Sequence, residues 1–156
     1  MAFLNFAREY FAAAECVSSH AKNLANPGYF LYFHTVELLF KAYLRAHGLP
    51  IMSTNRESHN LTELYEECRK LGLVVGTNDR FQIGNIVSLL EEGNEYQGFR
   101  YFHLKGAVIP ELGWTREVVG ELLKSVESHV EAFSKQGSSP GVAAKLVLMV
   151  GKPRPQ

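Results

Sequence analysis

Residues Tyr29–His47 read YFLYFHTVELLFKAYLRAH, and the placement of apolar residues in this stretch decides the fold class. Phe30, Leu31, Phe33, Val36, Leu38, Leu39, Phe40, Tyr43 and Leu44 cover nearly every side of a helix. A helix that is apolar all round is a central, buried one. Only His34, Glu37, Lys41 and Arg45 break the pattern. At a helical repeat of about 3.6 residues their spacing gathers them into one narrow column. Such a column faces a cleft or a partner.

Working outward, Phe3, Phe6, Tyr10, Ala14, Val17, Ala21 and Leu24 recur at helical spacing and predict an amphipathic helix. Asn26-Pro27-Gly28 then predicts a tight reversal, which makes the first two helices antiparallel neighbours. Beyond the central helix, Gly48 reads as a C-cap, and the polar run from Ile51 to His59 reads as a loop. Asn60 with Glu63 has the pattern of a capping box, opening a helix through Leu61, Leu64, Tyr65, Cys68 and Leu71. A fourth helix is expected from near Asp79 to Gly93, with Phe81, Ile83, Ile86, Val87 and Leu90 inward. A last helix is expected after Trp114, capped by Thr115, with Val118, Val119, Leu122, Leu123, Val126 and Val130 as its core stripe. About five helices with mostly short joins predict an all-α, antiparallel up-and-down bundle.

Two segments depart from this rhythm. Between Glu95 and Gly113, aromatic residues crowd around Arg100 and His103, and short β-prone runs flank Lys105-Gly106. The reading is either a small hairpin over 101–110 or an irregular loop. After residue 136 the composition shifts: Gly137-Ser138-Ser139-Pro140-Gly141 reads as a linker. The apolar run Ala143–Val150 that follows reads as a tail docking on the domain or on a second subunit. The expected organisation is a bundle over 1–136 with a linker and tail over 137–156.

The 156 residues suit one domain, and 16 basic against 16 acidic side chains give zero formal charge. That balance argues against gripping nucleic acid by bulk charge and leaves room for a local basic patch. Cys16 and Cys68 lack metal or redox spacing, and the six histidines are scattered, so neither a metal nor a cofactor is expected. The N-terminus does not read as a secretory signal, and no apolar window approaches the ~20 residues that span a bilayer. The expectation is a cytoplasmic protein with no membrane association.

The order of motifs resembles the HEPN (higher eukaryotes and prokaryotes nucleotide-binding) family. The resemblance rests on Glu37-Leu38-Leu39-Phe40-Lys41-Ala42-Tyr43-Leu44, on His59-Asn60-Leu61 followed by Leu64, and on Phe99-Arg100-Tyr101. It covers roughly Phe3 to Phe133, with Asn60 standing where the family motif has aspartate. The resemblance implies a helical bundle that forms a homodimer and engages a nucleotide or RNA, or pairs as the toxin half with a nucleotidyltransferase partner protein. Ribonucleases of the family carry an arginine followed, more than one helical turn later, by histidine. Here Arg56 precedes His59 and Arg100 precedes His103 by less than one turn. The expected function is therefore a binding or interaction module without the usual ribonuclease motif. The alternatives are a divergent metal-independent ribonuclease using Arg100 with His103 or His34, and a structural subunit of a larger complex.

No residue is assigned a catalytic role; the ligand-binding candidates are His34, Glu37, Lys41, Arg45, Arg100 and His103. Glu37 and Lys41 are spaced for an i,i+4 ion pair, which is either a solvated strip or the wall of a groove. A carboxylate beside His34 fixes its tautomer, for acid–base work or for a packed polar network. Arg100 offers planar recognition of phosphate with rings nearby to stack on a base, or else caps helix carbonyls or pairs with Glu37. His59, just ahead of a helix, is expected to bond locally.

Overall fold

A computed structural model describes residues 2–20, 25–49, 59–76, 82–95, 99 and 108–137. They form five helices and, among the described residues, no strand: α1 (Ala2–His20), α2 (Ala25–Ala46), α3 (Leu61–Lys70), α4 (Ile83–Asn94) and α5 (Leu112–Gly137). The chain is an all-α bundle. The expected hairpin over 101–110 falls mostly outside the described residues, as does nearly all of the tail 137–156.

α2 is the axis. Fourteen of its 22 residues are buried, including an unbroken run from Thr35 to Leu44, and α1, α3, α4 and α5 all pack against it. Pairwise contacts give the directions. Gly28 meets Ser18, Tyr32 meets Glu15 and Phe11, and His34 meets Tyr10, so α1 runs antiparallel to α2. Phe40 contacts Tyr65 and Tyr43 contacts Leu71, so α3 runs parallel to α2. Gly28 lies against Leu112 and His47 against His129, so α5 is parallel to α2 as well. Leu61 reaches Glu91 and Tyr65 reaches Gly84, which turns α4 back against α3. The alternation of directions therefore has one crossover, between α2 and α3, a connection that helical bundles accommodate.

Local chemistry sets the ends of the helices. Gly48 has φ 79°, its N–H donates to the carbonyl of Arg45, and the N–H of Leu49 donates to Leu44. This is a Schellman stop, and glycine takes the left-handed backbone without a Cβ penalty. Gly72 (φ 89°) repeats it after α3. Three expectations shift. Asn26-Pro27-Gly28 is the first turn of α2, where a proline's missing N–H costs nothing. Gln82 is the N-cap of α4, so that helix starts later than Asp79. Thr115 is buried inside α5, and the cap is Glu111, whose carboxylate accepts from the N–H groups of Gly113 and Trp114. A carboxylate next to free N–H groups at the positive end of a helix dipole does this work as well as a hydroxyl.

Buried tyrosines on α2 bury large rings while each hydroxyl finds an acceptor. Tyr29 donates to the carbonyl of Pro110, Tyr32 to the carboxylate of Glu15, and Tyr43 to the carbonyl of Leu71. At the far end of α2, the Nε2 atoms of His47 and His129 lie 2.9 Å apart, packed among Tyr43 and Phe133. Burial lowers both imidazole pKa values, and for His47 the neighbouring His129 lowers it further. Depressed folded-state values favour the neutral form, so this contribution to stability is present above the ordinary histidine pKa of 6.5 and is lost as pH falls below it. A urea-midpoint profile should decline between pH 7 and 5, and His47→Gln should flatten that decline.

Gly93 sets how closely α4 can approach the ring of Phe99. A Cβ there would lie 2.5 Å from the Phe99 ring, which is stacked on Tyr29 and tilted against Phe33. Overpacking costs about 1–3 kcal/mol, more than the gain from alanine near a helix end. Gly93→Ala should lower unfolding free energy by about 1 kcal/mol in urea titrations.

Candidate functional site

Midway along α2 the polar column turns inward at Glu37, which is 3% exposed. Its carboxylate collects three partners, two from α2 and one from just ahead of α3. Oε1 accepts from Lys41 Nζ at 2.5 Å and from His59 Nδ1 at 2.9 Å; Oε2 lies 3.3 Å from His34 Nδ1. His34 and Lys41 come from the same face of α2, as the i,i+3 and i,i+4 positions dictate. His59 arrives from the residue before the Asn60 cap of α3. The parallel packing of α3 on α2 brings it there.

Two anchors hold that helix start. Asn60 Oδ1 accepts from the N–H of Glu63, as the capping pattern predicts, and the Glu91 carboxylate on α4 accepts from the N–H of Leu61. Burial pushes the Glu91 pKa up, as do the charges of Glu37 and Glu63, while the Leu61 and Thr62 amides oppose the shift.

The electrostatics of Glu37 run the other way. Burial alone would raise its pKa from 4.5. Hydrogen bonds from His34 and Lys41, and the positive charge of those groups, outweigh burial and hold it at about 2. The carboxylate is thus ionised at neutral pH and can only accept hydrogen bonds, so the Nδ1 atoms facing it carry protons. In the neutral form of each imidazole, the Nε2 edge is then the acceptor. Lys41, itself only 5% exposed, balances the buried charge. The pair therefore presents little net charge to anything that approaches the imidazoles.

His34 is partly exposed, with Tyr10 against its face edge-on and Phe30 stacked near it. The His59 side chain is 58% exposed. The cluster is buried at its carboxylate and open at its imidazoles. The structure brings His34, Glu37 and Lys41 together. Arg45 is exposed and takes no part in these bonds. Arg100 and His103 lie outside the described residues. Sequence reasoning missed His59 as a member of the site, because its partner stands 22 residues away on another helix. Its one legible signal was a histidine directly before a helix cap.

Compared with known proteins, the chain matches no family model, and neither curated proteins nor solved structures give a significant match. The site must therefore be read from its own chemistry. Removing Lys41 would leave a buried carboxylate without its lysine counter-charge, a change that costs about 3 kcal/mol. Lys41→Met should show that loss in urea unfolding at pH 7, and Glu37→Gln/Lys41→Met should recover most of it.

Proposed function

We propose that this chain is a HEPN-like binding module that takes a phosphate-bearing ligand, a nucleotide or RNA, at His34 and His59. The observation that carries the reading is that one buried carboxylate faces the Nδ1 atoms of two imidazoles, one on α2 and one just ahead of the α3 cap. Both rings are thereby fixed in orientation with their Nε2 edges left for a ligand. Protonated at Nε2, each imidazole donates a charge-assisted hydrogen bond to a phosphate oxygen. Lys41 supports this use, since an unbalanced Glu37 carboxylate would repel the anion. Tyr10 and Phe30 beside His34 supply rings on which a base can stack. The motif resemblance over α2 and the start of α3 supports the same reading, and with it a homodimer and a nucleotidyltransferase partner.

In fluorescence anisotropy with a labelled RNA oligonucleotide, and in thermal shift with mononucleotides, His34→Ala and His59→Ala should each weaken affinity about tenfold, the effect of losing one charged hydrogen bond. A wild-type chain stabilised by no nucleotide and bound by no RNA rejects the reading.

The same geometry favours a second reading. Two oriented imidazoles are the parts of a general acid–base pair, which cleaves a phosphodiester without metal when one ring takes the 2′-hydroxyl proton and the other protonates the leaving oxygen. RNA incubated with the chain in a chelator should then be cut, and cutting should fall at least 100-fold in either histidine variant. Intact RNA under those conditions leaves the binding reading alone.

A further inference from the structure

The histidine pair at the other end of α2 lies apart from the Glu37 cluster. Ten residues of helix, about 15 Å, separate Glu37 from His47. His47 sits just past the end of α2 and His129 lies within α5, and the parallel packing of those helices brings together residues 82 positions apart. Their Nε2 atoms are 2.9 Å apart, the ring planes differ by 24°, and both side chains are only half-buried.

We propose that His47 and His129 form a two-imidazole site for a late first-row divalent transition cation, with Ni2+ and Cu2+ fitting best. The argument is geometric. Imidazole nitrogens bind such ions at about 2.0–2.1 Å, so two ligands at right angles stand about 2.9 Å apart, and two tetrahedral ligands about 3.3 Å apart. The 2.9 Å separation, a hydrogen bond in the metal-free pair, equals that of adjacent positions on a square-planar or octahedral ion, and the rings, with centroids 5.0 Å apart, need only pivot to aim both nitrogens at it. Zn2+ requires the pair to open by a few tenths of an ångström.

In the metal-free pair, one ring donates its Nε2 proton to the other. Moving that proton to Nδ1, the other tautomer of imidazole, leaves two lone pairs in the shared space. Binding consumes no oxidant and creates no covalent bond within the protein. Burial favours neutral imidazole, which is the ligating form. Tyr43 and Phe133 wall the pair with aromatic carbon. No group of three or more metal-binding side chains occurs among the described residues, so water or an added ligand completes the coordination. The site is accordingly an exchangeable one that bridges α2 to α5.

The test uses tag-free full-length chain, titrated with NiCl2, CuCl2 or ZnCl2 after treatment with chelator. Calorimetry should give one ion per chain, and the melting temperature should rise by about 4 °C when free metal exceeds Kd tenfold. EDTA should reverse the rise. His47→Gln and His129→Gln should each weaken binding at least tenfold, while His34→Gln leaves it unchanged. Zn2+ titrated into 15N-histidine-labelled wild type should shift the Nε2 resonances of His47 and His129, a readout that requires no variant to fold. Absence of binding, unchanged affinity in the His47 and His129 variants, or shifts confined to other histidines would overturn the assignment.

Discussion

A carboxylate at the centre of an apolar helix is the constraint around which this protein is arranged. Glu37 lies inside the longest buried run of α2, where an ionised group costs several kcal/mol unless partners replace water. Lys41 provides the counter-charge from one turn after Glu37, and His34 reaches it on the same face from one turn before. His59 must come from elsewhere, and that demand links side-chain chemistry to topology. The start of α3 is held level with Glu37, pinned by Asn60, Glu91 and the His59 contact.

The packing around this axis follows from the same helix. Each buried tyrosine of α2 brings a hydroxyl that must be satisfied, and its three acceptors lie on three different parts of the chain: Glu15, Leu71 and Pro110. These bonds are directional where apolar contact is not. They select one register of neighbours around a helix that would otherwise accept several. Surface ion pairs such as Arg8–Glu127 and Arg116–Glu15 tie α1 to α5 and add little energy, being exposed. Among the described residues, no helix is long and apolar enough to cross a membrane.

The α2 helix has chemically distinct ends as well as a polar middle. At one end Tyr29 stacks with Phe99 and bonds Pro110, closing the bundle. At the other, His47 and His129 meet in an aromatic setting whose protonation state burial controls. In the middle, an ionised carboxylate sets the tautomers of His34 and His59. Both imidazole pairs depend on α2 running parallel to a second helix, α3 in one case and α5 in the other.

The all-α class, the central place of α2, the caps at Gly48 and Asn60, and the i,i+4 pairing of Glu37 with Lys41 were legible in the sequence by itself. Each depends on residues within a few positions of one another, where helical geometry converts spacing directly into contact. The starts of α2, α4 and α5 were less legible, because proline, glutamine and glutamate can open a helix as well as flank one. Only the tertiary structure decided that His59 joins Glu37, that Glu91 caps α3, and that His47 meets His129. Those partners are 22, 30 and 82 residues apart, and their meeting depends on helix direction and register, which the packing of whole faces determines.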